Sequence, residues 1–112
     1  MARLIVHALS EDTIAAPGNR QANYIVVSVT DATGTPVTGL GIPNFMVDPV
    51  IVGPGGALVD VTGVTVGRLP GVYLVFVVPI AGQTWKAGVY IFAVSVNRGL
   101  DHGQNLCSVM MD

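Results

Sequence analysis

At 112 residues the chain has the length of one domain, enough for a real core but not for two. Hydrophobic residues make up 51% and charged residues only 11%, which excludes a disordered segment. The net charge is −2, and Arg3, Arg20, Arg68, Lys86 and Arg98 lie scattered, so neither a nucleic-acid footprint nor a basic membrane patch is expected.

Turn signals recur every 8–15 residues with β-branched runs between them, and Gly and Pro interrupt every window long enough for a helix. The first predicted strand is Arg3–Leu9, followed by a loop over Glu11–Arg20 that turns at Pro17-Gly18-Asn19. Asn23–Thr30 is the second, ended by the turn Asp31-Ala32-Thr33-Gly34-Thr35-Pro36. The third is Phe45–Val52, where Pro49 argues for an edge or a bulge. Gly53-Pro54-Gly55-Gly56 lacks the Lys-Ser/Thr of a phosphate loop and reads as a turn. The fourth strand is Ala57–Val66, with a break at Gly63; Leu69-Pro70-Gly71 then turns into a fifth, Val72–Pro79. Ala81–Lys86 is a loop, Val89–Asn97 the sixth strand, Arg98–Gly103 a turn, and Gln104–Met111 the last strand.

The expected fold class is therefore all-β: a single domain over residues 1–112, folded as an immunoglobulin-like antiparallel Greek-key sandwich of seven strands, or eight. An up-and-down or OB-like barrel is the alternative.

Side chains alternate faces along a strand. Ile25, Val27 and Val29 share one face of the second strand, and Tyr90, Phe92, Val94 and Val96 one face of the sixth. The fifth strand breaks the pattern. Val72, Leu74, Phe76 and Val78 lie on one side, Tyr73, Val75, Val77 and Pro79 on the other, and both sides are apolar. An antiparallel sandwich normally turns one side of each sheet to water. Tyr73, Val75 and Val77 are taken as the outer set, joined by Ile91 and Ala93 if the sixth strand lies in the same sheet. This predicts a homo-oligomer or a stable protein partner docked on that face.

Two stretches carry a resemblance. Residues Ile25 to Leu40, with Asp31-Ala32-Thr33-Gly34-Thr35-Pro36-Val37-Thr38-Gly39-Leu40, and then Phe45-Met46-Val47, resemble the opening of bacterial immunoglobulin-like modules. Invasin-type repeats and transthyretin-like or carboxypeptidase-regulatory-like domains share that style. Leu69-Pro70-Gly71-Val72-Tyr73 and Ala87-Gly88-Val89-Tyr90 resemble the two late Gly-x-Tyr strands of such sandwiches. The resemblance implies a non-catalytic domain, with Tyr90 near a tyrosine corner.

Groups suited to catalysis are few. His102 lies five residues before Cys107, a spacing that allows a Cys–His dyad without enforcing one. Cys107 is read instead as a small buried hydrophobe and His102 as a turn residue. His7 and His102 show no metal-ligand spacing, and Asp31, Asp48 and Asp60 supply no run of carboxylates for calcium, so no metal or other cofactor is expected. Asp31 reads as a turn-former. An alternative function is carbohydrate or small-ligand binding through Trp85 with Tyr24 or Tyr73; the competing reading of Trp85 is a loop residue that caps one end of the core.

One cysteine allows no intrachain disulfide, and Met1 to Asp12 shows no apolar signal segment. The default compartment is thus the cytoplasm, with an extracellular or assembly-associated place left open. No apolar run is long enough for a membrane-spanning helix.

Overall fold

The computed structural model describes residues 3–10, 22–51, 58–85 and 88–111. The expected turns at Pro17-Gly18-Asn19 and Gly53-Pro54-Gly55-Gly56 lie outside these residues. Within them are seven strands: β1 Ile5–Ser10, β2 Asn23–Thr30, β3 Phe45–Ile51, β4 Val59–Val66, β5 Val72–Pro79, β6 Gly88–Arg98 and β7 Asp101–Met111. A single 3-10 turn, Ile42–Asn44, precedes β3, and the described residues contain no α-helix.

The strands form two antiparallel sheets packed as a sandwich, one ordered β1-β2-β5-β4 and the other β3-β6-β7. The chain crosses between sheets three times, from β2 to β3, β3 to β4 and β5 to β6. The bounds of β2 and β5 are those the sequence predicts; Gly63 marks a register shift in β4 and Pro49 one in the edge strand β3. The connection between β6 and β7 is shorter than predicted. Gly99 and Leu100 alone make the turn, with Gly99 at φ +60°, so His102 lies inside β7 rather than in a loop.

The core is the pair of inner faces. Ile25, Val27 and Val29 of β2 and Tyr73, Val75 and Val77 of β5 meet Phe45 and Val47 of β3 and Tyr90, Phe92, Val94 and Val96 of β6. Phe45 packs on Tyr73 across the two sheets, with ring centroids 5.3 Å apart. Trp85, in the β5–β6 crossover, is fully buried edge-on against Tyr90 at 5.6 Å, and Tyr90 stacks on Phe92 at 5.7 Å. Each fully buried side chain of this size stabilises the fold by roughly 1.5–3 kcal/mol.

Two contacts hold the β2–β3 crossover against β5. The Tyr73 hydroxyl donates to the Val37 carbonyl at 2.6 Å and accepts from Leu40 N–H at 3.4 Å. Gly71, at φ +79°, lets β5 start hard against Val29 and Pro36; a Cβ there would lie 2.8 Å from the Val29 carbonyl oxygen. Asn44 fixes the far end of the crossover, its Nδ2 donating to the Asn97 carbonyl at 2.8 Å.

At the opposite side of the sandwich β1 and β7 run parallel and close. Leu4 N–H donates to the His102 carbonyl at 2.8 Å, Asn105 Nδ2 to the Val6 carbonyl at 2.7 Å and Ser10 Oγ to the Ser108 carbonyl at 2.5 Å. Gly103 makes this approach feasible, since a Cβ there would collide with the Leu4 carbonyl.

Replacing Tyr73 by Phe keeps the ring in the core and removes both crossover bonds. The expected loss is about 1–2 kcal/mol, read as a lower urea midpoint with unchanged slope.

Candidate association surface

The inner face of β5 is the one carrying Tyr73, Val75 and Val77, which are 1%, 0% and 1% exposed. The sequence reading of these three as the outer, partner-facing set is therefore reversed. The tether from Tyr73 to Val37 and the packing on Phe45 turn that side inward. Ile91 and Ala93 do not join them either. They lie on the outer side of the other sheet, Ile91 half-buried and Ala93 buried, so the five residues form no common surface.

The outer side of β5 carries the alternate set, Val72, Leu74, Phe76 and Val78, all half-buried. Cross-strand register places them in an apolar field. Leu74 lies beside Val26, which lies beside Leu9, itself 65% exposed. In the next row Phe76 lies beside Tyr24, with ring centroids 5.9 Å apart. Asp60 of β4 opposes Val78, Thr65 opposes Leu74, and Ser28 stands between Val72 and His7 of β1. Two adjacent rows of this face are thus continuously apolar across the central strands, and polar groups stand at its rim.

The outer face of β3-β6-β7 is built differently. Met46 shares its row with Ser95 and Gln104, Ala93 and Leu106 share theirs with Asp48, and Ile91 sits beside Ser108. Each of these three rows includes a polar group, as expected of a water-facing sheet.

Of the residues set out for ligand binding, Trp85 is 0% exposed and Tyr73 is a core residue, so neither can stack on a sugar. Trp85 instead closes one end of the core, and Tyr24 remains on the outer face with Phe76. Tyr90 is likewise buried in the aromatic stack, and the Tyr73 phenol bonds back to a crossover carbonyl.

Cys107 and His102 are five apart on β7 and so point to opposite sides of it. Cys107 faces inward, where burial pushes its thiol above the usual range, with a lesser opposing contribution from hydrogen bonds with Ser10. His102 is exposed. It lines a shallow groove at the β1–β7 seam together with Arg3, His7, Gln104 and Asn105. Asp48 and Asp60 lie on outer faces of different sheets, and among the described residues no group of three His, Cys, Asp or Glu is close enough to hold a metal.

Asp31 organises the turn after β2. Its Oδ1 accepts from Thr33 Oγ1 at 2.6 Å, Thr33 N–H at 2.8 Å and Thr35 N–H at 3.0 Å. These bonds, the Thr33 hydroxyl first, hold its carboxyl below the ordinary value, and the positive charge of Arg98 adds to the effect.

Comparison with known protein families, with curated proteins and with solved structures finds no match to this chain.

Two predictions follow from these geometries. A carboxyl lowered by folding contributes stability above its unfolded pKa, and that contribution disappears as pH falls through the folded value. The stability advantage of wild type over Asp31→Asn should therefore be present at pH 7 and close on acidification below about pH 4, followed by thermal melts across the range. Alkylation of Cys107 at pH 8 should be at least about tenfold slower in the native chain than in denaturant, because the thiolate is the reactive form and burial disfavours it.

Proposed function

We propose that this chain is a non-catalytic structural or interaction module that associates with a protein through the outer face of its four-stranded sheet. The observation that carries the reading is the unbroken apolar field of Leu9, Val26, Leu74, Tyr24 and Phe76 on that face. Continuous exposed apolar patches mark interaction surfaces more often than chance contacts.

The four sheet edges support a face rather than an edge as the docking element. β3 carries Pro49 and a register shift, β4 carries Asp60 and a register shift at Gly63, and β1 and β7 are bridged to one another. Bulges, prolines, charges and covered edges are how sheets resist strand addition.

The strand order favours an immunoglobulin-like, Greek-key reading of the sandwich. A seven-strand constant-type domain pairs its first, second, fifth and fourth strands in one sheet and its third, sixth and seventh in the other. The order here, β1-β2-β5-β4 against β3-β6-β7, coincides with it. The absence of catalysis is inferred from the inward, raised thiol of Cys107 and the outward His102.

Neighbouring positions on β5 test the reading. Phe76→Lys or Leu74→Lys should leave a cooperative urea transition in place and abolish association, seen as a fall in solution mass. Val75→Lys should unfold the chain, since it puts an unpaired charge into the core. A Leu74→Lys chain that keeps the mass of an associated wild type rules the face out.

A further inference from the structure

We propose that the occupant of this face is a second copy of the chain, docked about a two-fold axis so that His7 of each copy meets Asp60 of the other. The proposal rests on the reading of the face given above and adds the partner's identity and its register.

Within the four strands of the outer face, His7 and Asp60 are the charged or chargeable groups apart from the Tyr24 phenol, and they stand at diagonal corners. His7 is on the β1 edge in the row of Ser28 and Val72; Asp60 is on the β4 edge in the row of Val78. Three strand spacings separate them across the sheet, about 14 Å, and three two-residue steps along it, about 20 Å. The midpoint of that diagonal falls among Val26, Leu74, Tyr24 and Phe76, the centre of the apolar field.

A two-fold interface is self-complementary: each patch must meet what it presents. An in-plane axis through that midpoint, perpendicular to the diagonal, lays each His7 over the opposite Asp60 and the apolar centre over itself. An axis along or across the strands instead leaves each Asp60 about 14–20 Å from the facing His7. The diagonal axis crosses the strands of the two sheets at about 70°, closer to the orthogonal than to the aligned way in which sheets pack face to face. An imidazole N–H donates to a carboxylate whether or not the ring is protonated, so the corner contact does not depend on a second proton.

Three strands of eight residues and β1 of six give a face about 19 by 26 Å at its longest. Crossed at about 70°, two such faces overlap over about 380 Å² and remove about 770 Å² in projection; side-chain relief supplies the rest of the about 1,000 Å² that a specific interface needs.

Sedimentation equilibrium of the full chain tests this. Wild type is expected at twice its 11.6 kDa mass at micromolar concentration, and Leu74→Lys at the single-chain mass. His7→Asp should raise the dimer dissociation constant by at least about tenfold, since it sets carboxylates against carboxylates. Combining His7→Asp with Asp60→Lys should restore it to within about threefold of wild type. Both positions are exposed, so each variant should keep the urea midpoint of the wild-type fold. A wild type that stays monomeric to about 100 μM overturns the second copy but not the face as a surface for a different protein. A dimer untouched by Leu74→Lys overturns the face itself. A dimer broken by Leu74→Lys but indifferent to His7→Asp overturns the diagonal register.

Discussion

The structure depends on how a strand that is apolar on both sides is oriented. β5 lies between β2 and β4, and each of its residues from Val72 to Val78 offers a side chain that prefers burial. Hydrophobicity alone gives no preference between the two orientations. The asymmetry comes from the crossover. Only the side bearing Tyr73 places a hydroxyl on the Val37 carbonyl and a ring on Phe45. Leaving that carbonyl buried and unpaired would cost about 1–3 kcal/mol. A bond of this kind is small beside the total burial, yet it discriminates between two orientations that burial leaves nearly equal.

The crossover and β5 support each other. Gly71 begins β5 within contact distance of Val29 and Pro36, and Val37 N–H returns to the Val29 carbonyl at 3.0 Å. The loop is thereby laid along the end of β2, and the Asp31 turn shapes its first residues. Asn44 then delivers the chain to β6 at Asn97. Each contact is local or polar, and together they deliver Phe45 and Val47 to the face opposite Tyr73 and Val75.

Much of this was legible in the sequence, and the limits of legibility are physical. The bounds of β2 and β5 follow from β-branched runs between strong turn residues, and Pro49 and Gly63 announced irregularities in the strands that carry them. The orientation of β5 was not legible, because alternation identifies two sets of residues without saying which is inside when both are apolar. The deciding contact joins Tyr73 to Val37 across 36 positions of sequence. The same non-locality hid the separation of Ile91 and Ala93 from β5, since sheet membership is a property of pairing rather than of composition. The burial of Trp85 at one end of the core was legible as one of the two readings of its loop, since a Trp is usually mostly buried even outside a periodic element. The short β6–β7 turn was overestimated because His102 and Gly103 are common loop residues; here Gly103 is a strand residue kept small by the Leu4 carbonyl.

The apolar outer field and the guarded edges constrain each other. With charged residues at only 11%, the chain has little electrostatic repulsion with which to limit self-association. Geometry must supply the limit. An open edge admits strand after strand and leads to an unbounded assembly, whereas a face is consumed once it is covered. Bulges on β3 and β4 and the bridged seam of β1 with β7 suppress the first route, while Leu74, Phe76, Tyr24 and Val26 leave the second available. The lateral packing of Tyr24 on Phe76 adds to this, since it already shields part of each ring and lowers the drive toward indiscriminate contact. Under the association proposed above, a sandwich so arranged limits assembly to a defined size, because it ends once the central pair of strands, on which the fold itself is built, is covered.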